Sequence, residues 1–179
     1  MIVQKRYQGE KHYIEEFVQP RNASVVELSQ QIARQPGNYA ENCLKWVRSN
    51  IEYPLGQKGN MEYVDWHYSE AFRVVSASGE VYPLEQRWAS EFWQFPAETI
   101  SLRVGDCDCL AILLCSLIRS HEPQANCFVT VGQYAGMGHA WVSYNGIVLE
   151  PSSSNGTGIY AESYPYISSY RFNDESLVH

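Results

Sequence analysis

No apolar run in this 179-residue sequence approaches the roughly 20 residues that a membrane-spanning helix needs. The opening Met1-Ile2-Val3-Gln4-Lys5-Arg6 leads into no apolar h-region, so neither a secretory signal nor a membrane partner is expected. Positive charge is scarce. Thirteen Lys and Arg stand against 20 Asp and Glu, a formal net charge of -7, which argues against a nucleic-acid partner. Paired Cys-x-x-Cys spacing is missing, and five cysteines are an odd number for a disulfide framework. Reduced thiols and a cytoplasmic location are the expectation. There is no internal repeat, low-complexity tract or linker, so residues 1–179 read as one domain, large enough to bury a real core.

What is present is a strong helical signal. In the run Gly105-Asp106-Cys107-Asp108-Cys109-Leu110-Ala111-Ile112-Leu113-Leu114, continued to Arg119, the residues Leu110, Leu113, Leu114, Leu117 and Ile118 recur at i, i+3, i+4, i+7 and i+8. Asp106 suits the N-cap, and Gly105 can end the preceding segment. Cys107 then falls in the first turn, where orphan N–H groups and the helix dipole favour a thiolate. Cysteines so placed, given a cationic partner, can have pKa values lowered to about 3.5–7.5. A core helix has no structural need of a thiol at its polar tip, so Cys107 reads as a nucleophile.

Upstream, residues 1–20 read as an arm or short strand. Ser24-Val25-Val26-Glu27 has capping-box spacing for a helix running to Arg34. Pro36-Gly37 breaks it, and Asn38 caps a second helix striped by Ala40, Cys43, Leu44, Val47 and Ile51. The aromatic-rich stretch of about 57–92 reads either as a small hairpin, with Ser78-Gly79 as its turn signal, or as an ordered insertion, and Glu85 to Gln94 suits a short helix. Pro96 suits N1 of another helix, with Glu98 in its first turn, ending at Arg103. The core is expected over about 22–152 and a tail over 153–179, whose tyrosines pack back.

After the Cys107 helix the texture becomes β-rich: Phe128 to Val131, Ala140 to Tyr144 and Ile147 to Leu149, the last two joined by Asn145-Gly146. Helices followed by an antiparallel sheet make this an α+β fold. A two-residue turn at Asn145-Gly146 pairs Tyr144 with Ile147, Val142 with Leu149 and Trp141 with Glu150. His139, Trp141 and Ser143 then share a face with Val148, Glu150 and Ser152. His139 and Glu150 become diagonal neighbours roughly 7–8 Å apart at the backbone. The other face carries Ala140, Val142, Tyr144, Ile147 and Leu149 and is the packing face. A cysteine nucleophile needs a base, and the base an orienting group. Cys107, His139 and Glu150 supply that set.

These motifs resemble those of a known family. Gly105 to Leu114 resembles the nucleophile helix of the transglutaminase-like superfamily of papain-like cysteine enzymes. Gly138-His139-Ala140-Trp141-Val142 resembles its histidine strand and Leu149-Glu150-Pro151-Ser152 its third-member motif, where the family more often carries Asp. The likeness runs from about Ala40 to Ser152. Phe92-Trp93-Gln94-Phe95-Pro96-Ala97-Glu98-Thr99 resembles the stretch before the nucleophile in bacterial transglutaminase-like cysteine proteinases. The resemblance implies a papain-like helix-plus-sheet core with Cys107 as nucleophile, His139 as general base and Glu150 as orienter. It makes Gln94 and Trp93 candidate oxyanion donors, Trp93 being equally readable as core. It implies a cysteine protease or amidase acting on a peptide or protein through an acyl-thioester. The alternatives are acyl transfer to an amine and a non-catalytic binding module on the same fold.

No cofactor or metal is expected. Some members of that subgroup bind calcium through acidic residues around the nucleophile, but Cys109 stands where an Asp would follow. Asp106 and Asp108 alone fall short of the six or more oxygens calcium takes. Zinc is disfavoured because Cys107, Cys109, Cys115, Cys127 and His139 lack ligand-pair spacing. Cys43, Cys109, Cys115 and Cys127 read as buried thiols, with Cys109 a redox neighbour of Cys107.

Overall fold

The computed structural model describes residues 1–4, 11–53, 73–75, 81–83, 93–153 and 156–179. At the N-terminus, β1 (Ile2–Gln4) and β2 (Lys11–Tyr13) pair antiparallel and run into a 3-10 turn at Ile14–Phe17, whose Ile14 and Phe17 are buried. Helix α1 (Ala23–Ala33) starts one residue before the Ser24 expected to cap it. Asn22 takes that role, its side chain accepting from the Ser24 N–H at 3.0 Å. Asn is as good an N-cap as Ser, and its extended φ, ψ let the chain enter the helix. Helix α2 (Tyr39–Asn50) is capped by Asn38, which accepts from the Glu41 N–H at 3.0 Å, and buries Ala40, Cys43, Leu44 and Val47.

Within the aromatic-rich insertion, β3 (Arg73–Val75) and β4 (Val81–Pro83) form an antiparallel pair. The rest of that insertion, and the helix expected from Glu85 as far as 92, lie outside the described residues; Trp93 and Gln94 are not helical. Helix α3 (Pro96–Leu102) has its proline at N1, and the Glu98 carboxylate accepts from the Phe95 N–H at 2.8 Å. The residue that ends it in the left-handed region is Arg103 (φ 60°), not Gly105. The Arg103 guanidinium lies 5.0 Å from the Trp46 ring, a cation–π contact that helps hold this conformation.

Helix α4 (Cys107–His121) is the centre of the molecule. Leu110, Ala111, Ile112, Leu113, Leu114, Leu117 and Ile118 are all at most 1% exposed. Burial is not confined to one stripe, because α1, α2 and α3 pack on some sides of α4 and the sheet on another. A leucine-to-alanine truncation in such a helix costs about 2–5 kcal/mol.

The sheet comprises β5 (Cys127–Tyr134), β6 (Met137–Tyr144), β7 (Ile147–Leu149), β8 (Ile159–Ala161), β9 (Tyr166–Phe172) and β10 (Leu177–Val178). Their spatial order is β10-β9-β5-β6-β7-β8, with every neighbouring pair antiparallel. The fold is therefore α+β with an antiparallel sheet. Asn145 and Gly146 both have positive φ (51° and 82°), the type I′ geometry that matches strand twist. The β6–β7 register is Val142↔Leu149, Ser143↔Val148 and Tyr144↔Ile147, as the hairpin spacing predicts. Val129, Ala140, Val142, Leu149 and Phe172 join the core with α4, and Tyr144 and Ile147 pack at its margin.

The segment after Ser152 does more than pack back over a finished core. It contributes three of the six strands, and its Phe172 is fully buried. Arg119, 4% exposed, ties α4 to this segment through Asp174 and, at 3.2 Å, Glu175.

Strand β9 approaches β5 so closely that a Cβ on Gly132 would lie 2.0 Å from the Ile167 carbonyl oxygen. Gly132→Ala therefore sets backbone against backbone. The expected cost is about 3 kcal/mol or more, at the upper end of overpacking effects. Gly138→Ala, where an added Cβ meets nothing within 4 Å, serves as the neutral control. Denaturant unfolding of the two variants checks this; equal midpoints would contradict the close approach.

Candidate active site

Cys107 reaches its place through two local devices. Asp106 adopts extended backbone geometry and its side chain accepts from the Cys109 N–H at 3.4 Å, which starts α4 at Cys107. The loop before it is clasped to the end of α2. The Glu52 N–H donates to the Arg103 carbonyl at 2.8 Å, and the Gly105 N–H donates to the Glu52 carbonyl at 3.1 Å. This parallel bridge also brings Tyr53 to the helix tip, where its hydroxyl lies beside the Cys107 thiol. The Ala140 N–H lies close enough to the same thiol to favour its charged form. Cys107 thus lies against the strand that carries His139, one residue along.

The thiol's electrostatics overturn one expectation. Burial, together with the carboxylates of Asp106, Asp108 and Glu150, pushes the Cys107 pKa well above its ordinary value. The Ala140 N–H works in the opposite direction and is outweighed. A helix N-terminus favours a thiolate by its partial positive charge, but burial and then the adjacent Asp106 and Asp108 carboxylates act against it. The resting thiol is neutral.

His139 Nε2 and Glu150 Oε2 are 2.7 Å apart, on the shared face that the hairpin spacing predicts. Glu150 is 3% exposed and both its oxygens are occupied. Oε1 accepts from the Ser152 N–H at 3.0 Å and from the Ser152 hydroxyl at 2.5 Å. Oε2 accepts from the Tyr166 hydroxyl at 3.2 Å as well as facing His139. Burial alone would raise the Glu150 pKa; the hydrogen bond and charge of His139, with the Ser152 donors, outweigh it and hold the carboxyl below its ordinary value. An ionised Glu150 at Nε2 selects the tautomer with Nε2 protonated and leaves Nδ1 as the basic nitrogen. The His139 ring is nearly parallel to Trp141 at 6.2 Å and has Tyr134 at 5.8 Å.

The structure thus brings His139 and Glu150 into direct contact and sets Cys107 beside their strand. Among the described residues no hydrogen bond joins Cys107 to His139. Gln94 is fully buried; its Oε1 accepts from the Thr99 hydroxyl at 3.1 Å, and its Nε2 has no partner among the described residues. Trp93, 4% exposed, stacks on Phe172 at 5.6 Å with Phe17 edge-on at 5.5 Å, the environment of a core residue.

Cys43, Cys109, Cys115 and Cys127 are buried, and Cys115 and Cys127 lie with their sulfurs 3.7 Å apart as free thiols. Asp106, Asp108 and Cys109 bring possible ligand atoms within 4.8 Å of one another. Two carboxylates, one of them engaged in the helix cap, and a buried thiol do not fit a hard cation that takes six or more oxygens.

The sequence assigns no site role to Tyr53 or Tyr166, and it places Ser152 on the shared face without making it a partner of Glu150. Ser152 was legible in principle, since a residue two beyond a carboxylate can turn its N–H back onto it. Tyr53 and Tyr166 carry no such signal.

No family model matches the chain, and no curated protein matches it. Two solved structures of LapG from Legionella pneumophila align with it. The EGTA-treated one shares 20% identity over 87% of this chain and 83% of LapG, at a TM-score of 0.44. The calcium-bound one shares 18% over 87% and 85%, at a TM-score of 0.42.

Proposed function

We propose that this chain is a cysteine hydrolase that cleaves an amide bond, peptide or isopeptide, through an acyl-thioester on Cys107. The observation that carries the reading is the His139–Glu150 pair at 2.7 Å, its carboxylate buried and its imidazole half-buried, on the strand that the Cys107 thiol lies beside. A buried, fully hydrogen-bonded carboxylate on an imidazole is costly to assemble and adds nothing that an apolar pair would not add to stability. It is the arrangement a general base needs.

In the proposed reaction His139 Nδ1 takes the thiol proton as the sulfur bonds to the scissile carbonyl carbon. The thiol and Nδ1 close up in the substrate complex, as such hydrogen bonds commonly do. The tetrahedral intermediate collapses, the C–N bond breaks, and the amine leaves with the proton held by His139. Water then attacks the thioester, giving its proton to His139. The C–S bond breaks, the acid is released and the thiol is restored. Glu150 keeps Nε2 protonated and balances the imidazolium. The Cys107 N–H, in the first turn and without an intrahelical acceptor, and Gln94 Nε2 are the donors proposed for the oxyanion. Trp93 is not carried forward in this role. The proposed substrate is a peptide or protein. Five free thiols suit a reducing compartment such as the cytoplasm. No helix among the described residues is long and apolar enough to cross a membrane.

Mass-spectrometric mapping of iodoacetamide labelling on the native protein tests the assignment. Label is expected first on Cys107, because the other four thiols are buried, at a rate that climbs from pH 6 to pH 9 because the resting thiol is neutral. His139→Ala is expected to slow it. Even labelling of all five cysteines, or a Cys107 rate indifferent to His139, would sink the proposal.

A further inference from the structure

We infer that Tyr166 is a positioning residue for the His139–Glu150 pair, delivered to it by a one-residue bulge in β9. The inference rests on the roles proposed above for His139 and Glu150.

The β5–β9 register runs Val129↔Phe172, Thr130↔Arg171 and Val131↔Tyr170, then jumps to Gly132↔Ser168, leaving Ser169 unopposed. Val131 pairs with Ala140, on the side of the sheet that packs on α4, and Tyr170 packs against the core there. Side chains alternate along a strand, so in a regular ladder Tyr166 would share the face of Tyr170. It would then point away from His139. The extra residue reverses the parity. Tyr166 falls opposite Tyr134, which itself pairs with Met137 two residues before His139. That is the face of His139, Trp141 and Glu150.

Once there, the Tyr166 ring is held by Trp141 at 5.2 Å and Tyr134 at 4.8 Å. Its hydroxyl donates to Glu150 Oε2 at 3.2 Å, the oxygen that also faces His139. The phenol stays protonated, because burial and the Glu150 charge both raise its pKa. The close approach that seats β9 is the one that leaves no room for a side chain at position 132. A bulge and a glycine inside a sheet weaken the ladder and leave nothing to pack. Their joint result here is one more donor on the carboxylate. With Ser152 on Oε1 and Tyr166 on Oε2, the carboxylate is held against rotation, and Oε2 is presented to Nε2 in one orientation.

Among the described residues, the titratable groups facing Glu150 are His139 from β6, Tyr166 from β9 and Cys107 from the tip of α4, with Tyr134 and Tyr160 behind Tyr166.

Tyr166→Phe deletes one oxygen and keeps the ring packing, so the fold is retained. Two readouts follow: the Glu150 carboxyl carbon titrated by NMR, and the Cys107 alkylation rate with iodoacetamide. The Glu150 midpoint is expected to rise by on the order of half a pH unit or more. The alkylation rate is expected to fall by about threefold to tenfold, the scale of one hydrogen bond. In a Glu150→Gln background the same substitution should change the rate less than about twofold, because a positioning residue acts only through its partner. An unmoved Glu150 midpoint, or an equal loss of rate in both backgrounds, would overturn the inference. If His139→Ala leaves alkylation of the wild-type thiol unchanged, the catalytic reading fails, while the Glu150 midpoint still decides whether Tyr166 acts on the carboxylate.

Discussion

Cys107→Ala is expected to abolish amide hydrolysis while shifting the melting temperature by no more than about 2 °C. The two effects separate because the substitution removes one sulfur atom at a helix end and leaves the core beneath it in place. It sits partly exposed at the tip of α4, and the helix is anchored by Leu110, Leu113, Leu114 and Leu117 further along. Alanine is the best helix former, so backbone propensity does not suffer. Hydrolysis of a quenched peptide library, with melting followed by circular dichroism, provides the measurement. Full activity in the variant would place the nucleophile elsewhere. Unfolding would make Cys107 a core residue and remove the first premise of the proposed chemistry.

Glu150→Gln is expected to lower turnover by about 10³–10⁴, close to the loss reported for neutralising the carboxylate of a serine triad. An enzyme resting as a thiolate–imidazolium pair would depend on its third member less. Here burial and the neighbouring carboxylates favour the neutral thiol, so charge develops during attack, as it does at a serine. The amide also faces the wrong partners. Four donors from His139, Ser152 and Tyr166 point at the two carboxylate oxygens, and a glutamine must present an NH₂ to some of them. Leaving donors around a buried side chain without their acceptor costs about 1–3 kcal/mol of stability.

The sign of the pH dependence follows from the lowered Glu150 pKa. A group whose folded-state pKa is depressed contributes stability above its unfolded value, and that contribution is lost as pH falls through the folded-state value. The stability gap between wild type and Glu150→Gln should therefore be full at neutral pH and shrink on acidification below the ordinary carboxylate range. A gap unchanged with pH would mean that Glu150 carries no charge in the native protein.

The parts legible in the sequence were those written in local periodicity. The apolar recurrence from Leu110 to Ile118 marked α4, and Asp106 marked its start, because helix geometry repeats within a few residues. Asn145-Gly146 set the β6–β7 register, since few residue pairs accept two positive φ values in succession. From that register alone, His139 and Glu150 fell on one face. The Ser24 cap was misplaced by two residues because Asn22 offered an equally good acceptor, a choice between near-equal local energies.

Three matters were decided only when distant segments met. The charge state of Cys107 depended on burial and on how near three carboxylates lie, and no motif encodes a local dielectric. Tyr53 came to the thiol through a backbone bridge between Glu52 and Val104, residues far apart in the chain. Tyr166 reached Glu150 because β9 slips by one residue at Ser169, and strand parity across a bulge is a property of the pair of strands. What the sequence by itself determined was the helix, the hairpin and the residue types available for chemistry, all from interactions spanning a few residues. The tertiary structure alone decided which protonation state of the thiol is favoured and which hydroxyls hold the carboxylate, because those depend on through-space contacts between segments up to about fifty residues apart.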